Sequence, residues 1–176
     1  MNFAAVIELV GGPLTERRIL WAICGGLGMA AYGLVRTTFD TDLVTDGDAQ
    51  TGVVALMEES GFETLYRSRG FSNHLHPDRE LGRVDFVYLR AGTRDRLFAA
   101  ARKVPGPGGR MLLVPKPEHL AAMKVAAMAS DPARTFQELN DIRFLLTLPG
   151  VDRDEVRRFF ARHGLEGRFE EIVATL

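Results

Sequence analysis

The sequence predicts an α+β protein, with a mixed α/β core over residues 1–115 and an all-helical extension over 116–176. Three observations carry this. Up to Pro115, short apolar runs alternate with segments whose apolar residues recur at helical spacing. From Pro117 onward every segment has helical character, punctuated by Asp131-Pro132, Pro149-Gly150 and Gly164. The chain has 176 residues, 46% of them hydrophobic, which suffices for a sizeable core.

The elements follow in order. Leu20-Trp21-Ala22-Ile23-Cys24 is an apolar run ended by Gly25-Gly26, a strand and its turn. Leu27–Leu34 suits two turns of helix, and Phe39–Val44 a second strand closed by Asp46-Gly47-Asp48. Val53, Val54, Leu56, Met57 and Phe62 lie about a helical turn apart, so residues 50–60 form a helix ended by Gly61. Val84–Leu89, rich in Val, Phe and Tyr, is a third strand. A helix near 94–103 precedes the loop Pro105–Gly109, and Met111–Val114 is a fourth strand. The extension reads as helices 117–129, 132–147, 152–163 and 166–175, with Pro117 in a first turn and Asp131 and Asp152 at N-cap positions.

Composition excludes several classes. One cysteine, Cys24, cannot build a disulfide framework, and the apolar content is too high for disorder. A net charge of −1, from 22 basic and 23 acidic residues, rules out a broadly basic nucleic-acid coat protein. Nineteen of the cations are Arg; the three lysines are Lys103, Lys116 and Lys124. No basic region precedes an apolar stretch at the N-terminus, which argues against a signal peptide. Ile19–Val35 is uncharged but short for a membrane span and interrupted by four glycines. The expectation is a cytoplasmic protein with no membrane partner.

Chemistry concentrates in one series: Gly25-Gly26, then Asp40-Thr41-Asp42, then Asp85 on the third strand. Residues i and i+2 of a strand share a face, so Asp40 and Asp42 project side by side. Adjacent carboxylates repel unless a cation lies between them, and hard oxygen ligands of this kind suit Mg²⁺. Asp85 interrupts a strand that is apolar on both faces, where a carboxylate must be paired or metal-associated. A third acid suits a two-metal arrangement, with ions roughly 3.5–4 Å apart.

This series resembles the nucleotidyltransferase superfamily with the polymerase-beta-like catalytic fold. Its pattern is a strand, Gly-Gly or Gly-Ser, a short helix, Asp-x-Asp on the next strand and a third Asp later. Ile23 to Val44 fits that pattern throughout. Arg36-Thr37-Thr38 ahead of the acids looks most like the bacterial minimal and AbiEii-like (abortive-infection toxin) branch. Lys124-Val125-Ala126-Ala127 and Asn140-Asp141-Ile142 match that branch's later helical motifs. Two departures stand out: Thr41 replaces an apolar residue between the acids, and Gly26 replaces the serine of many active members.

The resemblance implies a mixed sheet of about four to five strands flanked by helices, and transfer of a nucleoside monophosphate from an NTP to an acceptor hydroxyl. Asp40, Asp42 and Asp85 would hold Mg²⁺ or Mn²⁺, with Asp85 also activating the acceptor. Gly25 and Gly26 would let the backbone approach the triphosphate. Arg36, Thr38 and Asp141 would contact the nucleotide, and Lys124 would neutralise phosphate charge. The implied partners are the NTP, an RNA (such as tRNA), protein or small-molecule acceptor and, for a toxin, a cognate antitoxin.

Other patterns lead elsewhere. Gly26-Leu27-Gly28-Met29-Ala30-Ala31 matches Gly-x-Gly-x-x-Ala, with Asp46 or Asp48 about 20 residues on, so a Rossmann-type dinucleotide-binding domain is the alternative. A catalytically silent nucleotidyltransferase fold used for interaction is another. His74 and His76 share an i, i+2 relation without a third soft ligand nearby. Tyr66–Phe71 interleaves cations and aromatics as an exposed strand edge would. Arg153, Arg157, Arg158 and Arg162 suggest a solvated helical face.

Overall fold

Asp40–Asp46 alternates acids with residues that tolerate burial, and this strand organises the sheet. A computed structural model describes residues 1–176. The chain divides into two compact units, Met1–Ala31 with Val35–Pro115, and Tyr32–Leu34 with Lys116–Leu176.

In the first unit a helical run occupies α1 (Phe3–Val6), a π-helical segment (Ile7–Gly11) and α2 (Gly12–Glu16). It is followed by β1 (Trp21–Ile23), α3 (Gly25–Ala30), β2 (Asp40–Asp46) and α4 (Gln50–Glu59). Then come β3 (Glu63–Ser68), β4 (Phe71–Leu75), β5 (Arg83–Leu89), α5 (Ala91–Ala99), β6 (Arg102–Pro105) and β7 (Met111–Val114). The main sheet has the order β1-β2-β5-β4-β3. Only β2 and β5 pair in parallel; the other three pairings are antiparallel.

One face of this sheet is built from Leu43, Val84 and Phe86, all fully buried, and the helices contribute Val6, Val10, Leu14, Val53 and Met57 to the unit's core. The other face carries the acids.

Several elements differ from the sequence expectation. The helical run at 3–16 was hidden by Gly11-Gly12-Pro13, which reads as a breaker. Pro13 lies in the first turn of α2, where no N–H partner is needed. Gly11 lies beneath Trp21, where a Cβ would fall 2.6 Å from two ring carbons. The helix read at Leu27–Leu34 is α3, which begins at the glycines and stops at Ala30. The helix read near 94–103 ends at Ala99, and Arg102–Pro105 is a strand that pairs with β7. That pair is a separate two-stranded sheet.

The second unit contains α6 (Pro117–Ser130), α7 (Thr135–Thr147), α8 (Arg153–Arg162) and α9 (Glu166–Val173). Pro117 occupies the first turn of α6, and the Asp152 side chain caps α8 by accepting from Glu155 N–H. Asp131 instead caps the single 3₁₀ turn before α7. Leu120, Val125, Ile142, Leu145 and Val156 fill the core, with the Phe160 and Phe169 rings 5.5 Å apart. No helix is long and apolar enough to cross a membrane.

Candidate active site

The parallel pairing of β2 with β5 sets Asp42 directly opposite Asp85 and Asp40 opposite Arg83. Strand alternation then turns Asp40, Asp42 and Asp85 to one face, where carboxylate oxygens of the three lie within 4.8 Å of one another. Asp40 and Asp42 are half-buried, whereas Asp85 is 6% exposed. Thr41, between the acids, faces the opposite side and is fully buried, so the departure from an apolar residue leaves the acidic face unchanged. Its Oγ1 has no hydrogen-bond partner.

Each outer acid is held by donors. Thr38 Oγ1 donates to Asp40 Oδ1 at 2.6 Å. Arg83 Nε donates to Asp85 Oδ1 at 3.0 Å, and Asn73 Nδ2 donates to the same oxygen from the neighbouring strand. Burial pushes the Asp85 carboxyl above its ordinary range; the Arg83 and Asn73 hydrogen bonds oppose that, and Asp40 reinforces it. Three convergent carboxylates, with the Arg83 guanidinium bonded to one of them, form a donor set suited to a hard divalent ion.

The glycines fit closely around this cluster. Gly25 has φ +50°, and a Cβ there would lie 1.7 Å from Asp42 Oδ2. Cys24 N–H donates to the Asp42 carbonyl at 2.9 Å, tying the start of α3 to β2. A Cβ on Gly26 would fall 2.8 Å from Thr38 Cβ, so Thr38 covers the space a serine side chain would need at this position. Arg36 lies in the loop between α3 and β2, half-buried, with a long 3.4 Å hydrogen bond to the Thr37 carbonyl.

Lys124 and Asp141 come together in the helical unit. Lys124 Nζ lies 2.5 Å from Asp141 Oδ2 and 2.9 Å from Glu138 Oε2, with all three residues buried. Arg134 joins Glu138 at 2.6 Å.

The remaining candidates have structural partners. His74 is fully buried, its Nε2 2.7 Å from Ser72 Oγ and its Nδ1 3.1 Å from Thr64 Oγ1, and burial lowers its pKa from 6.5 to about 4. His76 has a different environment, with Nδ1 accepting from Asp78 N–H and its ring edge-on to Phe62. The two imidazoles therefore do not form a ligand pair. Tyr66–Phe71 spans the β3–β4 turn at the edge of the sheet. Arg157 pairs with Glu170 at 2.7 Å, and Arg162 lies over the Phe159 ring. The dinucleotide-binding alternative is not sustained, because β1 and β2 are antiparallel and α3 is not the crossover of a parallel βαβ unit.

Neither a protein-family model nor a curated protein sequence matches the chain. Solved structures do. The solution structure of the antibiotic-resistance factor ANT(2'')-Ia superposes with a TM-score of 0.70 at 15% identity, covering 99% of this chain and 98% of that one. An antigenic nucleotidyltransferase-like protein from Paracoccidioides brasiliensis gives 0.59 at 18% identity, over 96% of this chain and 92% of that one. The lincomycin-bound lincosamide antibiotic adenylyltransferase LnuA gives 0.58 at 12% identity, over 81% of this chain and 96% of that one.

The chain has the nucleotidyltransferase fold. Within this nucleotidyltransferase fold, Asn73 and Arg83 are the site residues that the sequence reading missed. Arg83 had a local signal, since it stands two residues before Asp85 on one strand face. Asn73 had none, because it reaches Asp85 only through the β4–β5 register.

Proposed function

We propose that this chain is a Mg²⁺-dependent nucleotidyltransferase that moves a nucleoside monophosphate from an NTP to a hydroxyl of a small-molecule acceptor. The observation that carries the proposal is the convergence of Asp40, Asp42 and Asp85 within 4.8 Å. ANT(2'')-Ia, described as an antibiotic-resistance factor, and lincomycin-bound LnuA support a small-molecule acceptor.

Asp40 and Asp42 would hold the ion with the triphosphate, and Asp85 would complete the site. A divalent ion there supplies charge neutralisation at the phosphates and orients the reacting groups. The acceptor oxygen attacks the α-phosphorus, the bond to the bridging oxygen of the β-phosphate breaks, and pyrophosphate leaves. Asp85, beside the acceptor, would take the hydroxyl proton as general base. Thr38 fixes Asp40, and Arg36 faces phosphate charge from the same loop.

The test is incubation with Mg²⁺, each α-³²P-labelled NTP and a panel of aminoglycosides and lincosamides, for wild type and Asp42→Ala. Label on a small molecule, lost in the variant, is the expected result. Thermal stabilisation by Mg-NTP without label transfer to a small molecule, RNA or protein would instead favour a silent interaction module.

A further inference from the structure

Asn73 stands in the fourth position of a site whose other members are acids. It is 4% exposed, on β4, in direct register with Asp85 of β5. Its neighbours Ser72 and His74 turn to the other face and bond to each other. Asn73 therefore shares the face of the carboxylates, and its amide donates to Asp85 Oδ1. Arg83 Nε ends on the same oxygen at 3.0 Å.

The two donors differ in kind. The Arg83 side chain is 48% exposed and reaches forward along its own strand, whereas Asn73 comes from the adjacent strand with its amide enclosed. A buried side chain with two χ angles, fixed by sheet register, is the stiffer of the two. The pairing also assigns the oxygens: Oδ1 takes both donors, and neither donor reaches Oδ2. A carboxylate without such anchoring rotates about χ2, whose preferences are broad.

We propose that Asn73 is a positioning residue for metal binding: its amide holds Asp85 Oδ1 and so aims Oδ2 at the cation site formed with Asp40 and Asp42. The inference rests on the metal-site reading above. It assigns Asn73 no contact with substrate.

The experiment is a double-substitution cycle read by Mn²⁺ binding in titration calorimetry, on the full chain without nucleotide. Asn73→Leu keeps the approximate volume and removes the donor, so it preserves a packing role and abolishes a positioning one. Second-layer partners of ligands are typically worth 10–100-fold, so Asn73→Leu should weaken Mn²⁺ by about tenfold or more. In an Asp85→Asn background the same change should have little further effect, because its route of action is gone. Asn73→Ser, which keeps a hydroxyl donor, should recover part of the affinity, and Asn73→Ala, which has no donor, takes the place of Asn73→Leu if that variant does not fold.

Wild-type Mn²⁺ affinity in folded Asn73→Leu, or equal losses in both backgrounds, overturns the inference and leaves the metal site standing. Absence of Mn²⁺ binding by the wild type overturns both. Binding that follows the cycle without nucleotidyl transfer removes the proposed reaction alone.

Discussion

Gly25 and Asp42 share a space that admits only one side chain, since a Cβ on Gly25 would lie 1.7 Å from Asp42 Oδ2. The backbone at Gly25 also has φ +50°, a region that costs an L-residue roughly 1–2 kcal/mol. The first glycine thus serves the acid before it serves any phosphate: it lets β2 bring Asp42 against the start of α3. Gly25→Ala is expected to lose at least that 1–2 kcal/mol in urea denaturation. It should also lose Mn²⁺ binding, because the displaced carboxylate is one of the three proposed ligands. A variant that keeps wild-type metal affinity would show that Asp42 does not need this place.

Gly26 and Thr38 make a second exclusive pair. A Cβ on Gly26 would meet Thr38 Cβ at 2.8 Å and Oγ1 at 3.0 Å, and that hydroxyl also fixes Asp40. Gly26→Ser, the residue found in many proteins with this motif, is therefore expected to impair this chain. It should push Thr38 aside, release Asp40 Oδ1 and weaken Mn²⁺ binding in calorimetry. Adding Thr38→Ala should relieve the clash and restore part of the affinity through the new serine hydroxyl. Failure of the second change to improve the first would place the damage in the backbone instead.

These pairs show what the sequence made legible. The acidic series was visible because glycines, acids and strand residues follow one another locally within residues 23–44, and Asp85 stood out against Val84 and Phe86. Beyond the exposed strand edge at Tyr66–Phe71, the β3–β4 pair was not. In β4 the three buried central residues are Ser72, Asn73 and His74, so a period test that counts apolar residues finds little. Their burial is offset by hydrogen bonds to Tyr88, Thr64 and Asp85, which lie 10 to 16 residues away in sequence. The N-terminal helical run was masked for a related reason: Gly11 looks like a breaker until Trp21 is seen to fill the space above it.

Thr41 is a removable defect. Its side chain is fully buried and its Oγ1 lacks a partner, an arrangement that costs about 1–3 kcal/mol. Thr41→Val replaces the hydroxyl with a methyl group of similar size on the face away from the acids. The variant should gain about 1 kcal/mol in urea denaturation. Mn²⁺ binding should stay unchanged, because Asp40 and Asp42 face the other way. Lower stability in Thr41→Val would mean that the hydroxyl is satisfied in solution.

His74 should make the protein acid-sensitive. Burial lowers its folded-state pKa from 6.5 to about 4, so between these values the unfolded chain binds a proton that the folded chain refuses. Stability is then fully present above pH 6.5 and declines as pH falls toward 4. The total loss from this group is on the order of 3 kcal/mol. His74→Gln keeps an amide able to bond with Ser72 and Thr64 but has no proton to take up. Urea midpoints measured from pH 7.5 to 4 should fall less steeply in the variant. Parallel profiles would shift the acid sensitivity to other groups.

Lys124 is the only Lys that pairs with two buried carboxylates, Glu138 at 2.9 Å and Asp141 at 2.5 Å. Removing one partner of a buried ion cluster is more damaging than never having built it, because the remaining charges stay desolvated. Lys124→Met keeps the length of the side chain and deletes the ammonium. Arg134 still reaches Glu138, so part of the imbalance is met. The expected loss at pH 7 is about 3 kcal/mol in urea denaturation. It should be partly recovered in Lys124→Met/Asp141→Asn, which removes one of the stranded charges. A role in neutralising phosphate makes the opposite prediction: Lys124→Met would leave the urea midpoint in place and weaken Mg-NTP binding. The two measurements on one variant therefore decide whether this lysine serves the helical unit or the nucleotide.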